Sequence, residues 1–334
     1  MEEGTAHPEA AGPERRTHMH RMILTLGGLA ALLLLTVSPT LAGKGGGGKP
    51  GGGGGDPVYT VSYKTGTMGS LPYAMTADGS ATKKLGRKLV FDTTWHADGD
   101  RLLVAADDYR GGPGVYELDL AGKETKLFDV LNSSAGFAHP TISPVASPTG
   151  ERLIAYIDRD DSGSELSLWV RDEDGTNPVE VLPPETDVFL EWPAFHPSGS
   201  SIAVRRKTPG VPGKIWLLEL DVDSYGNAFV ASTRVLTGLA GTALEDVDAA
   251  FPAFSNSGDT LAVTGGGGIW FVDVADPTDI TFVTAGIGGE WDATDDLFYF
   301  TTGDPGDHTI HVLDSSGEVT DLGVSGYRPA CKKP

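Results

Sequence analysis

The sequence predicts an all-β protein: a six-bladed β-propeller of four-stranded antiparallel blades. Three observations carry that prediction. One hairpin phrase recurs along the chain, the stretches between recurrences read as strand, and the first blade lacks an opening phrase that the last residues supply. The phrase is plainest at Pro193-Ala194-Phe195-His196-Pro197-Ser198-Gly199-Ser200-Ser201-Ile202-Ala203-Val204. It reads as a short buried strand, a turn in which Pro197 fixes φ and Gly199 supplies a permissive position, and a second apolar strand.

The phrase returns at Pro252–Val263, more loosely at Thr94–Val104 and at Pro140–Pro144 running on to Gly150–Tyr156, and again at Trp291–Phe300, which has lost the Pro and Gly. After each opening comes a third strand ending in an acidic turn. Val115–Leu120, Leu166–Val170, Ile215–Leu220, Ile269–Val274 and Ile310–Asp314 fill this place. A short fourth strand follows, as at Glu180-Val181-Leu182 and Arg234-Val235-Leu236. Four-stranded units repeating every roughly 40–50 residues are blades. Openings fall at Trp95, Ile142, Phe195, Phe254 and Trp291, whereas 58–91 has outer strands and no opening. Gly326-Tyr327-Arg328-Pro329-Ala330-Cys331 carries the missing one, so a C-terminal strand is expected to complete the N-terminal blade, with Cys331 buried where other repeats place Phe or Trp.

The phrase Pro-Ala-Phe followed by a Pro/Ser/Gly turn and an Ile/Leu-Ala strand, at Pro193–Val204 and Pro252–Val263 with the turn Ala77-Asp78-Gly79-Ser80, resembles the TolB-type propeller repeat, the WD40-like PD40 repeat. The resemblance covers 58–331. Nothing between Gly55 and Val58 leaves room for the α/β domain that precedes the propeller in TolB. A stand-alone propeller is therefore implied, and the partners of TolB do not carry over with the fold.

Ahead of the propeller, Arg15, Arg16 and Arg21 precede an apolar run from Met22 to Val37 and a small-residue exit at Ser38–Ala42. This is the pattern of a secretory signal peptide over 1–42, and the run is shorter than the roughly 20 residues of a spanning helix. Residues 43–57, nearly all glycine at first, form a flexible linker. The propeller occupies 58–331 and a tail 332–334. The expected location is periplasmic or extracellular, with membrane attachment only if the apolar run is retained.

Composition narrows function by exclusion. Of 334 residues 39% are hydrophobic and 21% charged, which fits a folded chain. The net charge of −21 offers no basic surface for nucleic acid or anionic lipid. The one cysteine, Cys331, cannot form an internal disulfide or a CxxC site.

Catalytic signatures are missing. There is no Gly-x-Ser-x-Gly elbow and no His-Glu-x-x-His. His308 and His311, three apart on an alternating strand, point to opposite faces. His96 and His196 stand in the repeat turn. Asp158–Glu165 reads as a solvated hairpin loop, because Trp169 stands where a calcium loop needs its bidentate Glu. Glu245-Asp246-Val247-Asp248 and Glu290-Trp291-Asp292 flank strand openings near the channel mouth.

Propellers bind where blades present side chains to one axis. The residues just before the opening phrases are Asp92, His139, Trp192, Phe251 and Arg328, a mixture of charge and aromatics suited to a peptide or a sugar. The expectation is an exported, monomeric binding propeller with a protein or peptide partner, no cofactor and no catalysis of its own, a glycan being the other candidate ligand. The alternative is a propeller enzyme, a polysaccharide lyase or hydrolase with or without a metal, using channel-mouth carboxylates and His139.

Overall fold

The computed structural model describes residues 57–333, apart from 67–68, 87–88, 109–111, 132–135, 137, 160–164 and 305–306. The expected leader and the glycine run lie outside the described residues. The described chain forms six four-stranded antiparallel sheets and no α-helix, the predicted propeller.

Blade one joins β1 (Val61–Lys64), β2 (Pro72–Met75) and β3 (Thr82–Lys84) to β24 (Tyr327–Cys331), and each later blade is contiguous in sequence. Blade two is β4 (Val90–Trp95), β5 (Arg101–Asp108), β6 (Gly112–Asp119) and β7 (Glu124–Asp129). Blade three is β8 (Thr141–Ile142), β9 (Leu153–Arg159), β10 (Leu166–Asp172) and β11 (Val179–Leu182). Blade four is β12 (Phe189–Phe195), β13 (Ser201–Lys207), β14 (Lys214–Val222) and β15 (Ala228–Val235). Blade five is β16 (Ala250–Phe254), β17 (Thr260–Gly265), β18 (Gly268–Asp273) and β19 (Ile280–Ala285). Blade six is β20 (Ile287–Trp291), β21 (Leu297–Thr302), β22 (Thr309–Asp314) and β23 (Val319–Ser325).

The second strand of each blade is apolar in succession rather than in alternation because both faces of its sheet are covered. In β13, Ile202 and Val204 pack toward blade three while the intervening Ala203 packs toward blade five. The same logic gives six buried clusters among the described residues, one at each interface between neighbouring blades. Burial of each large side chain contributes about 1.5–3 kcal/mol, so the ring is held by many similar interfaces and not by one centre.

The turns behave as their residues require. In blade four His196 N donates to Ser201 O at 2.9 Å and Gly199 takes φ +70°. A Cβ on Gly199 would also stand 3.0 Å from Val145 O, so this glycine serves both the turn and the close approach of blade three. His196 fills its expected turn role. Its Nδ1 accepts from Ser198 N at 3.1 Å, which leaves Nε2–H to donate to Gly258 O at 3.2 Å and tie two turns together.

Closure follows the sequence prediction. β24 pairs antiparallel with β1, with Val61 opposite Cys331 and Ser62 opposite Ala330. Trp95 of blade two donates its indole N–H to Ala330 O at 3.0 Å, so the closing strand is gripped by the next blade as well. Cys331 is 4% exposed and its thiol is pushed well up by burial, as fits an inert apolar plug.

One expectation fails. Residues 160–164 of the expected solvated loop lie outside the described residues, but Asp158 is not solvated: it is 4% exposed in β9, and its carboxylate accepts from Leu131 N at 2.9 Å. The donor, Leu131, lies just past β7 at the end of blade two, so the carboxylate ties the two blades together.

Candidate functional site

The innermost strands carry a shared defect that builds the site. In five of them the pairing register slips by one residue: at Phe91 in β4, at Trp192-Pro193 in β12, at Phe251-Pro252 in β16, at Gly288 in β20 and at Arg328-Pro329 in β24. Such β-bulges re-aim side chains. His139, Trp192, Phe251, Gly288 and Arg328 all have φ between +42° and +52°. For the four that are not glycine this left-handed backbone costs about 1–3 kcal/mol each, strain of the kind that gathers at functional sites. Pro140, Pro193, Pro252 and Pro329 follow them at the bulge, the place in a sheet where a missing N–H is tolerated. Blade two has Thr93 there instead, and its N–H is taken by the Asp92 carboxylate at 3.0 Å.

The bulges bring all five predicted residues, Asp92, His139, Trp192, Phe251 and Arg328, around one small cavity of about 80 Å³. They touch in sequence. Asp92 Oδ2 meets His139 Nδ1 at 3.0 Å. The His139 and Trp192 rings lie 5.6 Å apart, and those of Trp192 and Phe251 4.0 Å apart at 36°. The Arg328 guanidinium sits 4.8 Å above the Phe251 ring, and its Nη1 returns to Asp92 Oδ2 at 2.9 Å. The side chains thus form a closed circuit, and it is a packed constriction inside the channel, not an open rim.

The sixth blade offers Gly288, which sequence alignment of the openings passes over because blade six lost its Pro. Its missing side chain lets Arg328 reach across to Phe251: a Cβ on Gly288 would lie 3.5 Å from both Arg328 Cγ and Phe251 Cγ. Sequence reading also misses a supporting layer from the second strands. Thr264 Oγ1 accepts from Gly288 N at 2.8 Å, and Thr301 Oγ1 from Arg328 N at 3.2 Å. Lys64 Nζ donates to Phe91 O, and Arg205 binds Glu191 and Asp248 while lying 5.1 Å over the Trp192 ring. Each sits two residues beyond the partner of the opening-phrase Ala or Glu, a register signal visible in sequence only once the pairing is known.

Charge in the constriction is decided by burial and partners. Burial raises the Asp92 pKa, but Arg328 and the hydrogen bond from His139 outweigh it and hold the carboxyl well below the usual range. Burial pushes His139 down against the pull of Asp92, so its imidazole is neutral at neutral pH. The ion pair is therefore Asp92–Arg328, and the Asp92–His139 contact is a hydrogen bond donated by a neutral ring. Burial lowers Lys64 to about 8.

Of the carboxylates expected beside the strand openings, Glu290 joins Asp92 in lining the channel; Glu245 accepts from Gly241 N at 2.7 Å, Asp248 serves Arg205, and Asp292 accepts from Thr294 N at 3.2 Å in its turn. Among the described residues no three His, Cys, Asp or Glu side chains are grouped as for a metal ion.

No protein-family model matches this chain, and no curated protein does. Solved structures do resemble it. TolB from Acinetobacter baumannii superposes with a TM-score of 0.62 at 15% identity, over 84% of this chain and 68% of that one. A putative TolB from Agrobacterium tumefaciens gives 0.52 at 17%, over 84% and 94%. A chain of a nidogen/laminin complex gives 0.56 at 11%, over 82% and 98%. At these identities the likeness is one of fold. The protein has a TolB-like six-bladed propeller, as the repeat phrase implied.

Proposed function

We propose that this chain is an exported binding propeller that recognises a protein or peptide partner through its channel constriction and has no catalysis of its own. The observation that carries the reading is an orphan donor. Among the described residues Trp192 Nε1, in the circuit and shielded from solvent, has no hydrogen-bond partner, as is also true of Trp169 and Trp291 Nε1 outside the circuit. A buried N–H without an acceptor costs about 1–3 kcal/mol, and a peptide carbonyl is one group that would satisfy it. Strained backbone at four circuit residues, aromatic surface and a neutralised charge pair support the same reading. The apolar run at 22–37 behind a basic segment supports export. A chain of this fold stands in a nidogen/laminin complex, an instance of the architecture in a complex of two proteins.

The Asp92–His139 pair is the one observation favouring a polysaccharide lyase or hydrolase, since a carboxylate orienting a neutral imidazole can prepare a base. Arg328 on the same carboxylate oxygen weakens it as a proton relay.

The test is affinity capture with residues 43–334 against extract of the cell envelope and medium of the source cells, beside an Asp92/His139/Trp192/Arg328 alanine variant whose folding is checked by circular dichroism. A defined protein held by the wild type and lost by the folded variant is expected. Retention by both would reject the constriction as the binding site. No partner, with turnover of an acidic glycan that the variant lacks, would transfer the assignment to the enzyme.

A further inference from the structure

Beyond the constriction, on the side of the inter-strand turns, the channel widens into a second cavity of about 350 Å³. That is within the range of small-molecule sites, roughly 300–1,000 Å³. Its wall is chiefly apolar, with Trp95, Phe195 and Phe254 as the aromatic part and Val145, 45% exposed, at its edge. One level of this wall is set by the second residue of the opening phrases: Thr94, Thr141, Ala194, Ala253 and Glu290. Four are small and uncharged. The fifth is a carboxylate.

That carboxylate is not alone. Lys333, two residues past β24, places its Nζ 2.6 Å from Glu290 Oε1 and 3.4 Å from both Phe254 O and Trp291 O. Both side chains are about three-quarters buried, at 26% and 23% exposure. An ammonium has three N–H donors and no acceptor, and it meets here one anionic and two neutral oxygens against an aromatic wall.

We propose that this chamber is a binding site for an aliphatic primary ammonium, either a small alkylamine or a lysine side chain, with Lys333 as a resident occupant from the same chain. The chamber adjoins the constriction and shares Thr94, Thr141, Ala194 and Glu290 with its lining, but Asp92, His139, Trp192, Phe251 and Arg328 do not line it. Glu290 is three-quarters buried, so it gains from a cation held against Oε1. Lys333 supplies one only while the segment after β24 stays in place. An incoming amine takes over the same three acceptors and lays its alkyl chain on the aromatic wall. Its apparent affinity is reduced by the fraction of time Lys333 holds the site, so removing the Lys333 charge should raise it.

The test is isothermal titration of the folded propeller with n-butylamine, cadaverine and Nα-acetyl-lysine methylamide, using n-butanol as the uncharged control. Wild type is expected to bind the amines weakly, Lys333→Met about 10-fold or more tightly, and Lys333→Met/Glu290→Gln not at all. Preference for the lysine derivative identifies a polypeptide lysine as the ligand; preference for the free amines identifies a small amine. Absence of amine binding in Lys333→Met with an intact circular dichroism spectrum overturns the proposal. So does equal binding of n-butanol, or binding that survives Glu290→Gln. Alanine at Trp192 should leave the amine isotherm unchanged, so failure of the partner site and failure of this one are read separately.

Discussion

The inter-blade cores and the channel constriction are built from the same repeat and obey opposite rules. At the third position of the opening phrase the blades place Trp95, Ile142, Phe195, Phe254, Trp291 and Cys331, nearly all bulky and apolar. Just before the phrase they place Asp92, His139, Trp192, Phe251, Gly288 and Arg328, no two alike. A core side chain meets a neighbouring blade that presents much the same surface each time, so the same kind of residue solves the problem six times. The side chains just before the phrase meet one another. Six copies of any one residue on a single axis would clash, repel or leave a void, so diversity there is a packing requirement as well as a means of recognition.

Closure should show the largest effect. Removing residues 326–334 strips blade one of its inner strand and takes the acceptor from Trp95 Nε1. A loss of several kcal/mol, or a fall in melting temperature on the order of 10 °C or more, is expected by calorimetry. An unchanged melt would mean that the ring does not depend on its clasp.

Next come two single substitutions that set core against constriction. Phe254→Ala, in the interface between blades four and five, should cost about 3–5 kcal/mol in denaturant unfolding. Asp92→Ala should cost a similar amount, about 3–5 kcal/mol, through a different mechanism, since it leaves Arg328 in a buried site without its carboxylate. A double variant, Asp92→Ala with Arg328→Met, should recover part of that loss. The core substitution has no such rescue. Failure of the rescue would show that the two regions differ only in residue type and not in kind of interaction.

The pH dependence separates them further. The folded His139 pKa is lowered by burial, so protonation favours the unfolded chain and stability should decline as pH falls below about 6.5. Asp92 is depressed, so its contribution is complete above its unfolded pKa of about 3.9 and is lost as pH falls through the lower folded value. His139→Gln should flatten the first limb, leaving the share due to His196, which burial also lowers. Melting temperatures from pH 7 to 5 would check this, and an unaltered slope would remove His139 as its source.

The smallest effect is expected at Gly288. Its φ of +46° and its ordinary contacts mean that Gly288→Ala should cost about 1–2 kcal/mol, whereas Gly288→Leu should push Arg328 from the Phe251 face and lower partner capture. Equal capture by both variants would show that the Arg328–Phe251 stack is not used in recognition.

The sequence by itself determined the blades, their number and their closure. These rest on local signals: the Pro/Ser/Gly turn, the apolar second strand, the acidic turn after the third, and one opening phrase displaced to Tyr327–Cys331. It also singled out five circuit residues, because a fixed offset from a repeated phrase is a fixed place on the axis. Only the tertiary structure decided what those residues do to one another. The bulge that turns them inward, the space left by Gly288, the neutral state of His139 and the burial of Asp158 depend on neighbours scores of residues away in the chain. So does the meeting of Glu290 with Lys333. The reason is that turns and strand faces are set by residues adjacent in sequence, whereas pairing, desolvation and charge state are set by whatever the closed ring brings to the same point.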